Sequence, residues 1–378
     1  MRTGGRYGGS VPGLSRSPGA GTRGFLLPGW GQSERPQPRI FFLTSGKREV
    51  GLLPIRKNSS PSSRAALGRR TMEGSSTLSP EAHKPKGLFC GLCLLDVVQL
   101  VERLPQPDEK IRALADSLSA GGPATNASVA FQSLGSSATT LLTRTYSDSA
   151  GDFIRREMSS FDIKMECPDV DASERTTVAS ILVTESTAQR AVVSSADQYH
   201  APVQPGSIPS IDVANYGVLL LDGYELEMAL PLAQQAQQRR VPVVLDGGSF
   251  KDTSPELLQY VDVAALSARF TPPGCNGVND TMEYVLSLGV DLVMVTDGAN
   301  PVVYSNSEGL RGAVHPPKVS AVDTLGAGDF FHGALSHYLA SNGVPRTATT
   351  IEDSVRFASS VAARSVESFG TRSWLKHI

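Results

Sequence analysis

The stretch Val322-Asp323-Thr324-Leu325-Gly326-Ala327-Gly328-Asp329-Phe330-Phe331 sets small residues suited to binding an anion directly before a carboxylate. Gly326, Ala327 and Gly328 lie between a β-like segment and a run in which Phe331, Ala334, Leu335, Tyr338 and Leu339 recur at helical spacing. The spacing predicts that the three small residues form the first turn of that helix. A helix start presents unpaired N–H groups and the positive end of the helix dipole. Glycine lets a bulky anion come close to that backbone. Asp329 is then held beside the bound anion, where a base can take a proton from an attacking hydroxyl. An anion cradle with an adjacent base is what phosphoryl transfer to an alcohol requires.

Two further groups suit an acceptor rich in hydroxyls. Asp96 follows Gly91 by five positions and closes an apolar run, at the expected C-terminal end of a first strand. Burying an ionised carboxylate without partners is costly, and hydroxyls are good partners because a carboxylate accepts two at once. The plainer reading is an Asp in a solvated loop. Gly121-Gly122, with Asn126 four residues on, suggests a tight turn that approaches a ligand and then a helix start. Asn126 offers donors and an acceptor to hydroxyls, and it is also a good helix cap. Asp222 and Asp246 each follow an apolar strand, and ligands sit at the carboxyl ends of parallel strands. Both are therefore expected near a cleft. Cys90 and Cys93 have half-site spacing, yet they lie in a strand-like run where positions three apart face opposite sides. They read as core. The six histidines show no paired-ligand spacing, so no metal-ligating set is expected; His332 and His337 read as surface or packing residues.

Strands and helices must alternate to position these groups. Residues 86–101 read as one buried first strand. Helix 124–134, strand 138–145 and helix 150–160 follow. Two Thr/Val/Ile-rich segments, 175–184 and 190–195, are separated by a polar turn. Alternation then resumes with strand 215–221, helix 225–238, strands 241–245 and 261–266, helix 278–288 and strand 291–296. A hairpin over 301–314 precedes the helix that starts at Gly326, and a last helix covers about 351–368. This order predicts an α/β fold with a mostly parallel central sheet flanked by helices. The early paired segments break the alternation and suggest a small separate sheet on top of the main one.

With its motifs in place, the chain is similar to the PfkB, or ribokinase-like, carbohydrate kinases. Asp323-Thr324-x-Gly326-Ala327-Gly328-Asp329 resembles the second signature of that family, and Gly121-Gly122-Pro123-Ala124-Thr125-Asn126-Ala127 resembles its first in the two glycines and the Asn. The resemblance covers about residues 86–375. It implies a ribokinase-like fold with a small β-sheet lid drawn from about 98–115 and 165–199. It implies ATP-dependent phosphorylation of a hydroxymethyl group on a small sugar or sugar-like molecule, with Asp329 as general base and an anion hole at Gly326, Ala327 and Gly328. Asp96, Gly121, Gly122 and Asn126 would hold the acceptor. Thr296 and Gly298 match part of the nucleotide loop, which with Thr324, Gly326 and Gly328 would hold ATP; the last glycine of that loop is Pro301 here. Mg²⁺ would bridge the phosphates, with Asp246 either nearby or structural. Relatives hold a monovalent cation near Asp323-Thr324, which makes K⁺ activation an expectation. The segment 357–372 would flank the adenine or serve structure alone.

Ser267-Ala268-Arg269 departs from the family, which carries an acidic residue after this strand to order Mg²⁺ through water. Arg269 is instead suited to contact phosphate. The departure keeps a second reading open, a non-catalytic binding or assembly module of the same fold. A nucleoside kinase would differ only in its acceptor. A Rossmann dehydrogenase is disfavoured because no G-x-G-x-x-G follows the first strand.

Charge is divided unevenly along the 378 residues. Residues 1–80 hold 13 Lys or Arg against three Glu, and the remainder of the chain has a net charge of −12. The acidic remainder argues against a nucleic-acid partner, and no window has the ~20 apolar residues of a membrane span. Segment 1–85, rich in Gly, Ser, Arg and Pro, cannot bury a core. It reads as a disordered extension or an organelle transit peptide, with Met72 as an alternative start. The expected location is therefore cytoplasmic or in a plastid or other organelle. Four cysteines are too few for a disulfide scaffold. Lid sheets of this kind pair in relatives, so a homodimer is expected.

Overall fold

The computed structural model describes residues 84–171, 173–194 and 202–378. Most of the expected N-terminal extension, and part of the second expected lid segment, lie outside the described residues. In chain order the first elements are β1 (Lys86–Cys90), β2 (Leu94–Val101), β3 (Ala115–Gly121), α1 (Pro123–Ser133), β4 (Ala138–Leu142), α2 (Ser149–Ser160) and β5 (Ile163–Glu166). Next come β6 (Val178–Thr184), β7 (Arg190–Val193), β8 (Val218–Leu221), α3 (Leu226–Arg239), β9 (Val243–Gly247), α4 (Ser254–Leu258) and β10 (Val263–Ser267). The chain ends with α5 (Val278–Ser287), β11 (Leu292–Thr296), β12 (Val302–Asn306), β13 (Arg311–Val314), α6 (Ala327–Asn342) and α7 (Ala348–Ser365).

Strands such as VLLL in β8 and VAALS in β10 are apolar at nearly every position because helices cover both faces of their sheet. That sheet runs β13-β12-β11-β10-β9-β8-β1-β4-β5. Pairing is parallel from β11 to β5, and β12 and β13 add an antiparallel edge. One face packs Phe89, Leu141, Leu220 and Met294 against α1, α2, α6 and α7. The other packs Leu88, Leu219, Ala264 and Val293 against α3 and α5. The strand order reverses at β1, which lies between β4 and β8, and such switch points open a crevice at the carboxyl ends of the strands.

The second sheet has four strands in the order β3-β2-β6-β7. This two-sheet arrangement is the one that the resemblance implies.

Several elements differ from the sequence reading. The run 86–101 is two strands in two sheets. Leu88 through Leu94 are apolar or Gly and buried on both sides of the break, so periodicity could not show it. The break is made at Gly91, where an added Cβ would lie 2.2 Å from the Asp222 carboxylate, and Leu92 N–H donates to Asp222 Oδ2 at 2.9 Å. Strands β3 and β5 and helix α4 were not anticipated. β3 reads ADSLSAG and lacks the branched residues that mark a strand. The small sheet starts at Leu94 and takes in all of β3, whereas β5 belongs to the large sheet, so the expected lid segments overlap the small sheet only in part. The last helix begins three residues earlier than expected, where Thr347 and Thr350 form a reciprocal capping box.

Candidate active site

The turn into α6 is fixed from outside the helix. Val322 and Asp323 N–H groups donate to Val366 O at 2.7 and 3.2 Å. Asp323 Oδ1 accepts from Leu325 N–H at 2.9 Å and Oδ2 from Gly370 N–H at 3.0 Å. Thr324 Oγ1 donates to Ala188 O at 3.1 Å and lies 3.2 Å from Arg190 Nη1, so β7 and its turn reach down to this loop. Gly326 caps the helix with φ 78°, a left-handed backbone that favours glycine. Ala327 N–H points back to Thr324 O at 3.4 Å. Gly328 is exposed, and nothing lies within 4 Å of where its Cβ would stand. The helix start is thus open to solvent on the side where an anion would approach.

Asp329 lies one residue further, in the first turn of α6. Asn126 Nδ2 donates to its Oδ2 at 2.8 Å. Among the described residues no other hydrogen bond reaches this carboxylate, which leaves Oδ1 for a ligand. The side chain keeps some solvent access while packed tightly on all other sides. That packing pushes its pKa up to about 7, with Asp246 adding to the rise; Asn126, His332 and Arg190 oppose it. A base that titrates near neutrality is well placed to accept a proton at physiological pH.

Asp96 sits on β2, opposite Ser119 and Ala179 of the neighbouring strands, and is 4% exposed. It belongs to the small sheet, which corrects its expected place at the end of the first large-sheet strand. Burial raises its pKa to about 7, helped by Asp329 and Glu157 and opposed by Arg372. A Cβ on Gly121 would come within 2.1 Å of Asp96 Oδ2, so the first glycine of the pair makes room for this carboxylate. Gly122 is the residue that caps α1, with Pro123 at its first position, and Asn126 stands one turn inside. Asn126 is therefore not a helix cap. Its amide faces the cleft, with Nδ2 on Asp329 and Oδ1 accepting from Arg372 Nη1 at 2.9 Å.

Arg372 was not anticipated at this end of the cleft. The segment 357–372 is expected to flank the adenine or serve structure alone, and the guanidinium of its Arg372 joins α1, α2 and β3 beside Asp96 and Asn126. Nε donates to Glu157 Oε1 on α2 at 3.1 Å and Nη2 to Ala120 O on β3 at 2.6 Å. Glu157 Oε2 in turn accepts from Ala120 N–H. A single Arg after a terminal glycine carries no local sign of such contacts.

The other strand-end residues divide. Asp222 holds the hinge: besides Leu92 N–H it accepts from Ala124 N–H at 3.2 Å and Tyr224 N–H at 3.0 Å. Burial still raises its pKa to about 6. Asp246 turns toward His332, whose Nδ1 is 2.8 Å from Asp246 Oδ2, although off the line of a regular hydrogen bond. His332 Nε2 faces Ala265 O at 2.9 Å and must carry a proton, since a carbonyl only accepts. Burial lowers the imidazole pKa, but Asp246, Asp329 and the Ala265 carbonyl together outweigh it and the net direction is upward. His332 is 3% exposed and one turn from Asp329. Its spacing of three on one helix was the available signal. Thr296 ends β11 and donates to Leu266 O at 3.2 Å, while Gly298 lies in an exposed turn beyond it. Arg269 is exposed next to β10. The predicted residues Asp96, Gly121, Gly122, Asn126 and Asp329 thus meet in one place, and Thr296 and Gly298 lie along the same strand ends, two strands from β9.

Comparison with known proteins shows the family and the fold. Residues 85–377 match the sequence model of the pfkB family carbohydrate kinases. A ribokinase of Lactococcus lactis is 23% identical over 285 residues, spanning 75% of this chain and 91% of that protein. A ribokinase of Mus musculus is 25% identical over 294 residues, spanning 75% of this chain and 89% of that protein. Among solved structures, a ribokinase from Giardia lamblia superposes with a TM-score of 0.66 at 19% identity, covering 77% of this chain and 96% of that one. A ribokinase from Arabidopsis thaliana, complexed with ribose and ATP, gives 0.59 at 22% identity, covering 78% and 98%.

Proposed function

The chain belongs to the pfkB family of carbohydrate kinases, and we propose that it transfers the γ-phosphoryl group of ATP to a hydroxymethyl group of a small sugar or sugar-like acceptor. The observation that carries this reading is the 2.8 Å hydrogen bond between Asn126 and Asp329. It ties an acceptor-side amide to a carboxylate that follows an open helix start. ATP enters the proposal because a similar ribokinase was solved with ribose and ATP.

In this reading Asp96, Asn126 and the Gly121-Gly122 backbone hold the sugar. Asp329 Oδ1 accepts the proton of the attacking hydroxyl as its oxygen bonds to the γ-phosphorus, and ADP leaves. The N–H groups of Gly326, Ala327 and Gly328 offset the charge on the transferring group. Mg²⁺ carried by ATP supplies further neutralisation of the phosphates. K⁺ activation through the Asp323-Thr324 turn is part of the proposal.

The small sheet leaves Leu118, Val178 and Val193 at 51%, 44% and 73% exposure, and a homodimer through this sheet is part of the proposal. Light scattering that finds a monomer at micromolar concentration would remove it.

The test of the activity is coupled ADP release by the full chain with ATP, Mg²⁺ and K⁺ across ketoses, aldoses, sugar phosphates and nucleosides. Acceptor-dependent release supports a kinase and names its substrate class. ATP binding without turnover on any acceptor would instead favour a non-catalytic module and direct attention to Ala268 and Arg269.

A further inference from the structure

A guanidinium only donates hydrogen bonds. The atom of Asn126 that faces Arg372 Nη1 at 2.9 Å must therefore be its carbonyl oxygen. The amide nitrogen is then obliged to face Asp329, at 2.8 Å. Without Arg372 the amide could turn over and present its oxygen to the carboxylate. Arg372 is itself held on three other sides. It donates to Glu157 Oε1, to Ala120 O and, at 3.3 Å, to Thr371 O. Trp374 Nε1 donates to the same Thr371 carbonyl at 3.0 Å, and its ring packs on Phe330, the residue after Asp329, with centroids 4.9 Å apart. The segment after α7 is thus docked on the first turn of α6 and on the acceptor end together.

We propose that Arg372 is a positioning residue: it fixes the side-chain amide of Asn126 so that Asp329 receives an N–H, and it couples the C-terminal segment to the base. This rests on reading Asp329 as the base. The expected consequence is a change in the titration of Asp329, since an N–H donor favours the ionised carboxylate and an amide oxygen disfavours it. The groups that face Asp329 are Asp246 from β9, His332 from its own helix, Arg190 from β7, Asp96 from β2 and Asn126 from α1. Only the last is oriented by Arg372.

The test titrates Asp329 in the full chain labelled with [γ-¹³C]Asp, followed by NMR without any acceptor, so its outcome is independent of whether a sugar is found. The Asp329 resonance is the one missing in Asp329→Asn. In Arg372→Met and in Asn126→Ala the midpoint moves up by about 0.5–1 in pH. The double variant moves no further than Asn126→Ala alone, and Arg372→Lys, which keeps a donor, restores part of the shift. If Arg372→Met fails to fold because Glu157 is left unpaired, Glu157→Gln with Arg372→Met removes that carboxylate and is titrated instead. The proposal is overturned if loss of Arg372 leaves the midpoint where it was while Asn126→Ala moves it, or if the two shifts sum.

Discussion

Gly326, Ala327, Gly328 and Asp329 are consecutive, whereas the groups around Asn126 come from β2, β3, α1, α2 and the segment after α7. In the proposed reaction the phosphate end of the cleft needs mostly backbone: N–H groups at a helix start, with glycines that leave room for an anion. The N–H groups and glycines of such a device are neighbours along the chain, although the turn before them is held by Val366, Gly370 and Ala188. The acceptor end needs side chains at fixed distances, which only the folded chain can assemble. Asp329 is shared by the two ends. The comparison implies that substitutions at either end should affect different substrates, and that only Asp329 should affect the joint step.

The largest effect is expected there. Asp329→Asn should keep the fold and ATP binding and lower turnover by about 10²–10⁴-fold. Parallel loss of ATP binding would break the separation of the two ends. At the acceptor end, Gly121→Ala should push the Asp96 carboxylate aside, because the new Cβ would meet Oδ2 at 2.1 Å. A displacement of that order costs about 10²-fold in kcat/KM for the acceptor, with the KM for ATP unchanged in the same assays. The converse change, Thr296→Ala, should raise the KM for ATP by a factor of about 3–10 and leave the acceptor KM alone.

The smallest effect is on stability. Burial raises the Asp96 pKa to about 7, above its ordinary value of 3.8. Between these values the folded chain holds a proton that the unfolded chain releases, so stability falls as pH rises through this window. Above it the charged, buried carboxylate is at its full cost. Asp96→Asn should therefore raise the melting temperature by about 2–4 °C at pH 8. The gain should fade toward pH 4. A gain that grows on acidification would mean that Asp96 is paired more favourably than its surroundings indicate.

The sequence was most readable where function depends on neighbours along the chain. The run from Asp323 to Asp329, and Gly121-Gly122 with Asn126, show their turn and helix start directly. The large sheet was readable from its buried strands. The hinge was not, because Leu88 through Leu95 stay apolar across the change of sheet, and the side chain that makes the break possible, Asp222, is 130 residues from Leu92. Arg372 was not readable either, since its partner Asn126 is 246 residues away. His332 was only half hidden. Its spacing from Asp329 was visible, but Asp246 and Ala265, which bury and orient it, come from the strands beneath.

The central claim is that the two ends meet at Asp329. The most direct measurement is a crystal structure of the full chain with a non-hydrolysable ATP analogue and the acceptor identified by ADP release. The account predicts the acceptor hydroxyl about 2.6–3.2 Å from Asp329 Oδ1, with the terminal phosphoryl group facing the N–H groups of Gly326, Ala327 and Gly328. An acceptor hydroxyl turned away from Asp329, or a phosphoryl group held elsewhere along the strand ends, would contradict it.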